Sequence, residues 1–87
     1  ISFNNLSVYP NPSSDNTNVS FELEKNTDIT LQVFDLNGRI VKSIYDNISL
    51  KTGIHNVKVD INDLVQGTYI VLLKSESDHK IAKFIKY

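Results

Sequence analysis

The stretches NVSFELE (Asn18–Glu24) and DITLQVFD (Asp28–Asp35) alternate apolar and polar residues one by one. Successive side chains of an extended strand point to opposite faces, so this alternation predicts strands with one buried face. The apolar set is rich in β-branched and aromatic side chains, which favour strands. The residues that share the apolar face are Val19, Phe21 and Leu23 in the first stretch and Ile29, Leu31 and Val33 in the second.

Similar alternation, interrupted by turn residues, continues along the 87-residue chain. The sharpest turn signal is DLNG (Asp35–Gly38), because glycine can take the positive φ that closes a tight hairpin. Short strands separated by turns predict an all-β fold, namely a seven-stranded antiparallel immunoglobulin-like β-sandwich. The predicted strands are Ser7–Tyr9, Asn18–Glu24, Asp28–Phe34, Arg39–Tyr45, Ile54–Asp60, Thr68–Lys74 and His79–Lys86.

The parity of each strand also predicts which side chains form the core. A single helical turn in INDLVQG (Ile61–Gly67) is expected to pack Ile61 and Leu64. The predicted core residues are Val8, Val19, Phe21, Leu23, Ile29, Leu31, Val33, Val57, Val59, Leu64, Tyr69, Val71 and Leu73.

Composition argues against several classes of partner. The net charge is −1, from 9 basic and 10 acidic residues, so no basic surface for nucleic acid is expected. The longest apolar run, YIVLL (Tyr69–Leu73), is far too short to span a bilayer, and no direct membrane insertion is expected. Cysteine is absent, which excludes disulfides and thiolate metal sites and leaves packing to hold the fold.

The chain offers no constellation for catalysis, and we predict that it is not an enzyme and needs no cofactor. The only histidines, His55 and His79, stand in polar contexts and are expected at the surface. Most aspartates stand at turns, where their side chains bond to nearby backbone N–H groups. A calcium site in the loop at Asp15, with Asn16 and Asn18, is the alternative, although the spacing is not that of a regular calcium loop.

A carbohydrate-binding surface is a further alternative for an immunoglobulin-like domain. Phe34 and Tyr45 are expected on one face of the hairpin that Asp35–Gly38 closes, where they would offer a small aromatic platform. The aromatic residues are otherwise scattered and include no tryptophan, which favours ordinary packing. The competing function is therefore a carbohydrate-binding or spacer module of a secreted multidomain protein.

Four stretches together resemble the C-terminal sorting domain of the type IX, or Por, secretion system, in its type A form. They are VYPNPSSD (Val8–Asp15), LQVFDLNGRIV (Leu31–Val41), LVQGTYIVLL (Leu64–Leu73) and KIAKFIKY (Lys80–Tyr87), in that order. The residues that match the family's motifs are Tyr9, Pro10, Asn11 and Pro12 at the opening, Asp35, Gly38 and Arg39 at the central turn, Gly67 and Tyr69 in a Gly-x-Tyr element, and Lys80 and Lys83 in the terminal strand.

The resemblance implies a non-catalytic address for a cargo protein fused upstream. Residues 7–87 would form the sorting domain, and residues 1–6 the end of a linker from the missing cargo domain. Such cargo reaches the periplasm of Gram-negative bacteria, and the outer-membrane type IX translocon then recognises the domain. A sortase-like peptidase commonly removes it, and the cargo is released or attached to lipopolysaccharide at the cell surface.

The terminal stretch KIAKFIKY is the segment that we expect the translocon to recognise. As an edge strand it would offer unpaired backbone groups for strand addition, while its lysines, in a segment without acids, discourage self-pairing and suit an acidic receptor. The exposed edge also allows strand-swapped homodimers. In the alternative interpretation, the apolar residues complete the core and the lysines are merely solvated. The expected recognition residues are Lys80, Ile81, Lys83, Phe84, Ile85 and Lys86.

Overall fold

A computed structural model describes residues 3–9 and 15–87, and within these ranges every regular element is a β-strand. Accordingly, no helix of this described part has the length and apolar character to cross a membrane. The strands are β1 (Phe3–Tyr9), β2 (Asn16–Leu23), β3 (Thr27–Phe34), β4 (Ile40–Leu50), β5 (Gly53–Asp60), β6 (Gly67–Lys74) and β7 (His79–Lys86).

The strands form two antiparallel sheets, which confirms the predicted immunoglobulin-like sandwich. One sheet has three strands in the order β1-β2-β5, and the other has four in the order β4-β3-β6-β7. Strands β1 and β7 lie beside each other at one side of the sandwich, although they belong to different sheets. The terminal strand is therefore the edge of the larger sheet, next to β6 alone in the hydrogen-bonding order.

The core lies between the inward faces of the two sheets, as the alternation predicts. Val8, Val57 and Leu64 are only partly buried against it, whereas Ile61, expected to pack in the turn after β5, is fully buried. Phe84 is fully buried although it is absent from the predicted core list. The expected helical turn is a hydrogen-bonded turn, in which the N–H of Leu64 donates to the carbonyl of Ile61. The buried hydrophobic residues are Val19, Phe21, Leu23, Ile29, Leu31, Val33, Val59, Ile61, Tyr69, Val71, Leu73 and Phe84.

Two strands are longer than predicted because bulges break their alternation. Strand β1 begins at Phe3 rather than Ser7, and its pairing with β2 shifts register between Asn4 and Ser7, beside Asn5 at φ 58°. Strand β4 continues to Leu50 rather than Tyr45, with three register shifts against β3. A bulge inserts an unpaired residue and reverses the facing of those beyond it, so a simple period of two fails there. Phe3 and Asn4 of the predicted linker accordingly pair with Leu23 and Glu22 of β2.

Candidate recognition site

Strand β7 has the regular geometry that a strand-accepting edge requires. All eight of its residues pair with β6 without a register shift. The edge strands β1 and β4 both carry bulges, which twist an edge and hinder the addition of another strand. Strand β5 is the other edge with unbroken register, against β2. The geometry thus leaves one regular edge on each sheet.

The two faces of β7 have different roles. Ile81 and Ile85 face outward and are 59% and 49% exposed, with the exposed Lys83 between them. Phe84 faces the core and is fully buried, and Lys86 is only 8% exposed. Lys80 is exposed near the other end of the strand. Of the expected recognition residues, Phe84 and Lys86 are therefore poorly accessible, and the other four lie at the surface.

The Gly-x-Tyr element and the terminal strand form one structural unit, although they are distant in sequence. Gly67 pairs with Lys86, and Tyr69 pairs with Phe84. The rings of Tyr69 and Phe84 stack with centroids 5.6 Å apart and planes inclined by 22°. Such aromatic pairs add to the stabilisation that burial alone provides. The tyrosine therefore helps to hold the buried face of β7 against β6.

The hydroxyl of Tyr69 closes the connection that precedes β6. It donates a hydrogen bond to the backbone carbonyl of Val65, four residues upstream. A tyrosine near the start of a strand that bonds back to the preceding corner is the tyrosine corner of immunoglobulin-like sandwiches. Gly67, between the two, has φ +155°, where a side chain is unfavourable, while a Cβ added there would meet nothing within 4 Å. The glycine is thus required by backbone conformation rather than by space.

The central turn is built around the carboxylate of Asp35. Its Oδ1 accepts hydrogen bonds from the N–H groups of Asn37, at 2.9 Å, and Arg39, at 3.0 Å. The N–H of Gly38, which has φ +82°, donates to the Asp35 carbonyl and closes the predicted turn. The bond from the Arg39 N–H is the main cause of the lowered pKa of Asp35, and the Arg39 side chain, 3.4 Å from Oδ2, also contributes. The carboxylate fixes the hairpin, while the guanidinium remains 80% exposed.

The opening motif is described only in part. Tyr9 is 48% exposed, and its hydroxyl lies 3.5 Å from Oδ1 of Asn56 on β5. Pro10, Asn11 and Pro12 lie outside the described residues. The carbonyl of Asp15, where the described residues resume, accepts a hydrogen bond from the N–H of Ile61. This bond joins the start of β2 to the turn after β5.

His55 is less exposed than the expectation of a surface residue implies. It faces the interior side of β5, is half-buried, and stacks on Phe21 with ring centroids 5.4 Å apart. Its Nε2 lies 2.7 Å from the carbonyl of Lys51, which fixes the ring further. The imidazole thus serves as a packing group at the end of the core. His79 is exposed, as expected.

The aromatic platform that was the alternative for Phe34 and Tyr45 does not form. Phe34 faces outward from β3, whereas Tyr45 pairs with inward-facing Leu31 and packs against the core. The bulges of β4 reverse the facing that simple parity predicts, so the two rings lie on opposite faces of the sheet. In the described ranges, 3–9 and 15–87, no group of three or more metal-ligating His, Asp or Glu side chains occurs.

Comparison with known families agrees with this arrangement. The model of the secretion system C-terminal sorting domain, Por_Secre_tail, matches residues 7–87, almost the whole chain. No curated protein matched it. The matched region contains the corner at Tyr69, the turn at Asp35 and the complete terminal strand. The chain belongs to the family of type IX secretion C-terminal sorting domains.

Proposed function

We propose that this domain directs a cargo protein, fused upstream, through the outer-membrane type IX translocon, and that strand β7 is the element recognised. Membership of the family indicates a sorting signal for secreted or cell-surface cargo. The proposed route passes through the periplasm and ends with removal of the domain by a sortase-like peptidase. The cargo is then released or attached to lipopolysaccharide, and the domain has no catalytic part in these steps.

The observation that carries the proposal is the unbroken register of β7 at the edge position of the larger sheet. An added strand would take its affinity from main-chain hydrogen bonds and its selectivity from alternate side chains. The side chains of Lys80, Ile81, Lys83 and Ile85, which lie at the surface, would provide that selectivity. The described C-terminal segment, residues 79–87, contains no carboxylate side chain, so it suits an acidic receptor strand.

Four residues that stabilise the core and the central turn act on recognition through folding. Phe84 and Tyr69 hold β7 in register, and Asp35 with Gly38 fixes the hairpin of β3 and β4. Substitution of any of these four residues would impair export even if the residue does not contact the translocon. The surface residues of β7 would therefore contact the translocon, whereas these four residues would only keep β7 and the hairpin folded.

Deletion of residues 80–87 from a reporter fusion, followed by measurement of export in a type IX-competent host, tests the dependence on β7. Export is expected to stop, and unchanged export would exclude β7 as the signal. Because the deletion also removes Phe84 from the core, a variant that leaves the core intact is needed. Lys80→Glu with Lys83→Glu reverses two exposed charges of β7 and is expected to reduce export.

The matched control is Lys25→Glu with Lys58→Glu. Both of these lysines are exposed, and the change in net charge is the same, but neither residue lies on β7. Thermal unfolding of the purified domains shows whether either pair alters the fold. Equal export of the two double variants would contradict charge recognition at β7.

A further inference from the structure

Part of the outer face of the four-stranded sheet is apolar and crosses all four strands. On β6 the outward-facing Ile70 and Leu72 are half-buried, and on β3 the outward-facing Phe34 is half-buried, whereas the other outward residues of β3, Asp28, Thr30 and Gln32, are polar. On the edge strands β4 and β7, the corresponding apolar residues are about half exposed. We name as the outer-face patch Phe34, Ile40, Ile70, Leu72, Ile81, Ile85 and the lysine among them, Lys83.

Strand register places these residues next to one another. Across the sheet, Phe34 pairs with Ile40 on one side and with Ile70 on the other, and Ile70 pairs with Lys83. Leu72 pairs in turn with Ile81. Directly paired residues in a sheet have their Cβ atoms roughly 5 Å apart, so their side chains touch. The patch thus crosses all four strands and joins β7 to Ile40, a residue far away in sequence.

The exposure of the patch exceeds what the fold requires. Antiparallel sheets normally place polar residues on a solvated face, and contiguous apolar surfaces of this kind mark interaction sites. Ile40, Ile81 and Ile85 are 49%, 59% and 49% exposed, so burying them against a partner would release ordered water from each. The only ionisable side chain of the patch is cationic, that of Lys83.

We propose that the outer-face patch docks on a protein surface whose apolar side chains surround a carboxylate that meets Lys83. The inference rests on the proposed sorting function and extends the recognised region from the edge of β7 to the face of the sheet. A second copy of the chain fits less well, because a two-fold contact of the patch with itself would offer Lys83 no carboxylate within the patch. An anionic membrane fits less well too, since the chain has a net charge of −1 and the patch a single cation.

The decisive comparison is between Ile40→Glu and Ile54→Glu, each in the reporter fusion that carries residues 1–87. Both positions hold an exposed isoleucine on an edge strand, but Ile54 lies on β5 in the other sheet. Ile40→Glu removes apolar contact and sets a carboxylate against the proposed acidic partner. It is expected to lower export about tenfold or more, as loss of a central interface residue does, while Ile54→Glu leaves export near that of the parent.

Thermal unfolding of the purified variants checks that the effect is not one of stability. If Ile40→Glu melts lower than Ile54→Glu, Ile40→Ser replaces it, with Ile54→Ser as its control. Charge is tested at Lys83, where Lys83→Arg is expected to retain export and Lys83→Glu to lose it.

Each outcome decides between the two proposals. Normal export of Ile40→Glu alongside the parent fusion would overturn the docking of the outer-face patch but leave recognition of β7 intact. Failure of the parent fusion itself to be exported would instead refute the sorting function. If the parent domain dimerises and Ile40→Glu abolishes the dimer, the partner of the patch is a second copy rather than an acidic protein. If the parent domain binds anionic vesicles and Ile40→Glu abolishes that binding, the partner is a membrane.

Discussion

Substitution of Tyr69 by phenylalanine separates the two contributions of this residue to the domain. The change removes the hydroxyl that bonds to the carbonyl of Val65 but keeps the ring that stacks on Phe84. Val65 is 79% exposed, so we expect water to reach its carbonyl once the hydroxyl is gone. The cost should therefore be that of an ordinary hydrogen bond, about 1 kcal/mol, rather than that of a stranded buried acceptor.

A loss of about 1 kcal/mol corresponds to a fall in melting temperature of about 4–8 °C for a domain of this size. Tyr69→Ala also removes the stacked ring and its burial, and should cost about 3–5 kcal/mol. A domain of 87 residues has a total stability of only about 4–13 kcal/mol. The alanine variant should thus be largely or partly unfolded, whereas the phenylalanine variant remains folded.

Thermal and denaturant unfolding followed by circular dichroism measures these differences, and export of the reporter fusion is measured in parallel. Tyr45→Phe is the control, because its hydroxyl has no hydrogen-bond partner among the described residues, and it should leave the melting temperature nearly unchanged. We expect Tyr69→Phe to be exported and Tyr69→Ala to fail. Loss of export in Tyr69→Phe without loss of stability would refute a purely structural role and indicate direct contact with the translocon.

Three further predictions concern the core and the two turns. Leu31→Ala, at a fully buried position, should cost about 2–4 kcal/mol in denaturant unfolding, and a much smaller cost would mean that the sheets repack around the cavity. Gly67→Val should lower stability by about 1–3 kcal/mol through φ strain and reduce export with it; an export defect at unchanged melting temperature would point to contact instead. The pKa of Asp35 is lower in the folded domain than its unfolded value near 3.8. The ionised carboxylate therefore stabilises the fold fully above pH about 3.8, and this stabilisation is lost as the pH falls through the folded pKa. Asp35→Asn should therefore lose less stability than the parent domain between neutral pH and pH about 3, and an identical pH profile would assign the acid sensitivity to other groups.

The sequence alone predicted the limits of a strand where its apolar residues keep a strict period of two. Strand β7 has the predicted limits His79–Lys86, and β2, β3, β5 and β6 differ from prediction by no more than two residues at either end. The alternation works because each of the inner strands, β2, β3 and β6, has one face on the core and one directed away from it. The central turn could also be predicted from the sequence, because Asp35 accepts its hydrogen bonds and Gly38 takes its positive φ.

Local periodicity did not predict strand length or side-chain facing where the chain departs from a period of two. The register shifts of β1 and β4 depend on neighbouring strands, so the lengths of both strands and the facing of Tyr45 followed only from the tertiary structure. His55 illustrates the same limit, because its place on an inward face beside Phe21 outweighs its polar character.

The terminal strand shows most clearly what each level of structure decides. Its sequence determines a lysine-rich strand with apolar residues at both parities, Ile81 and Ile85 at one and Phe84 at the other. A strand can bury only one of its faces in a two-layer sandwich, and the sequence of β7 does not say which one. Pairing with β6 decides it: Phe84 meets Tyr69 in the core, and the isoleucines are left on the outer face of the sheet.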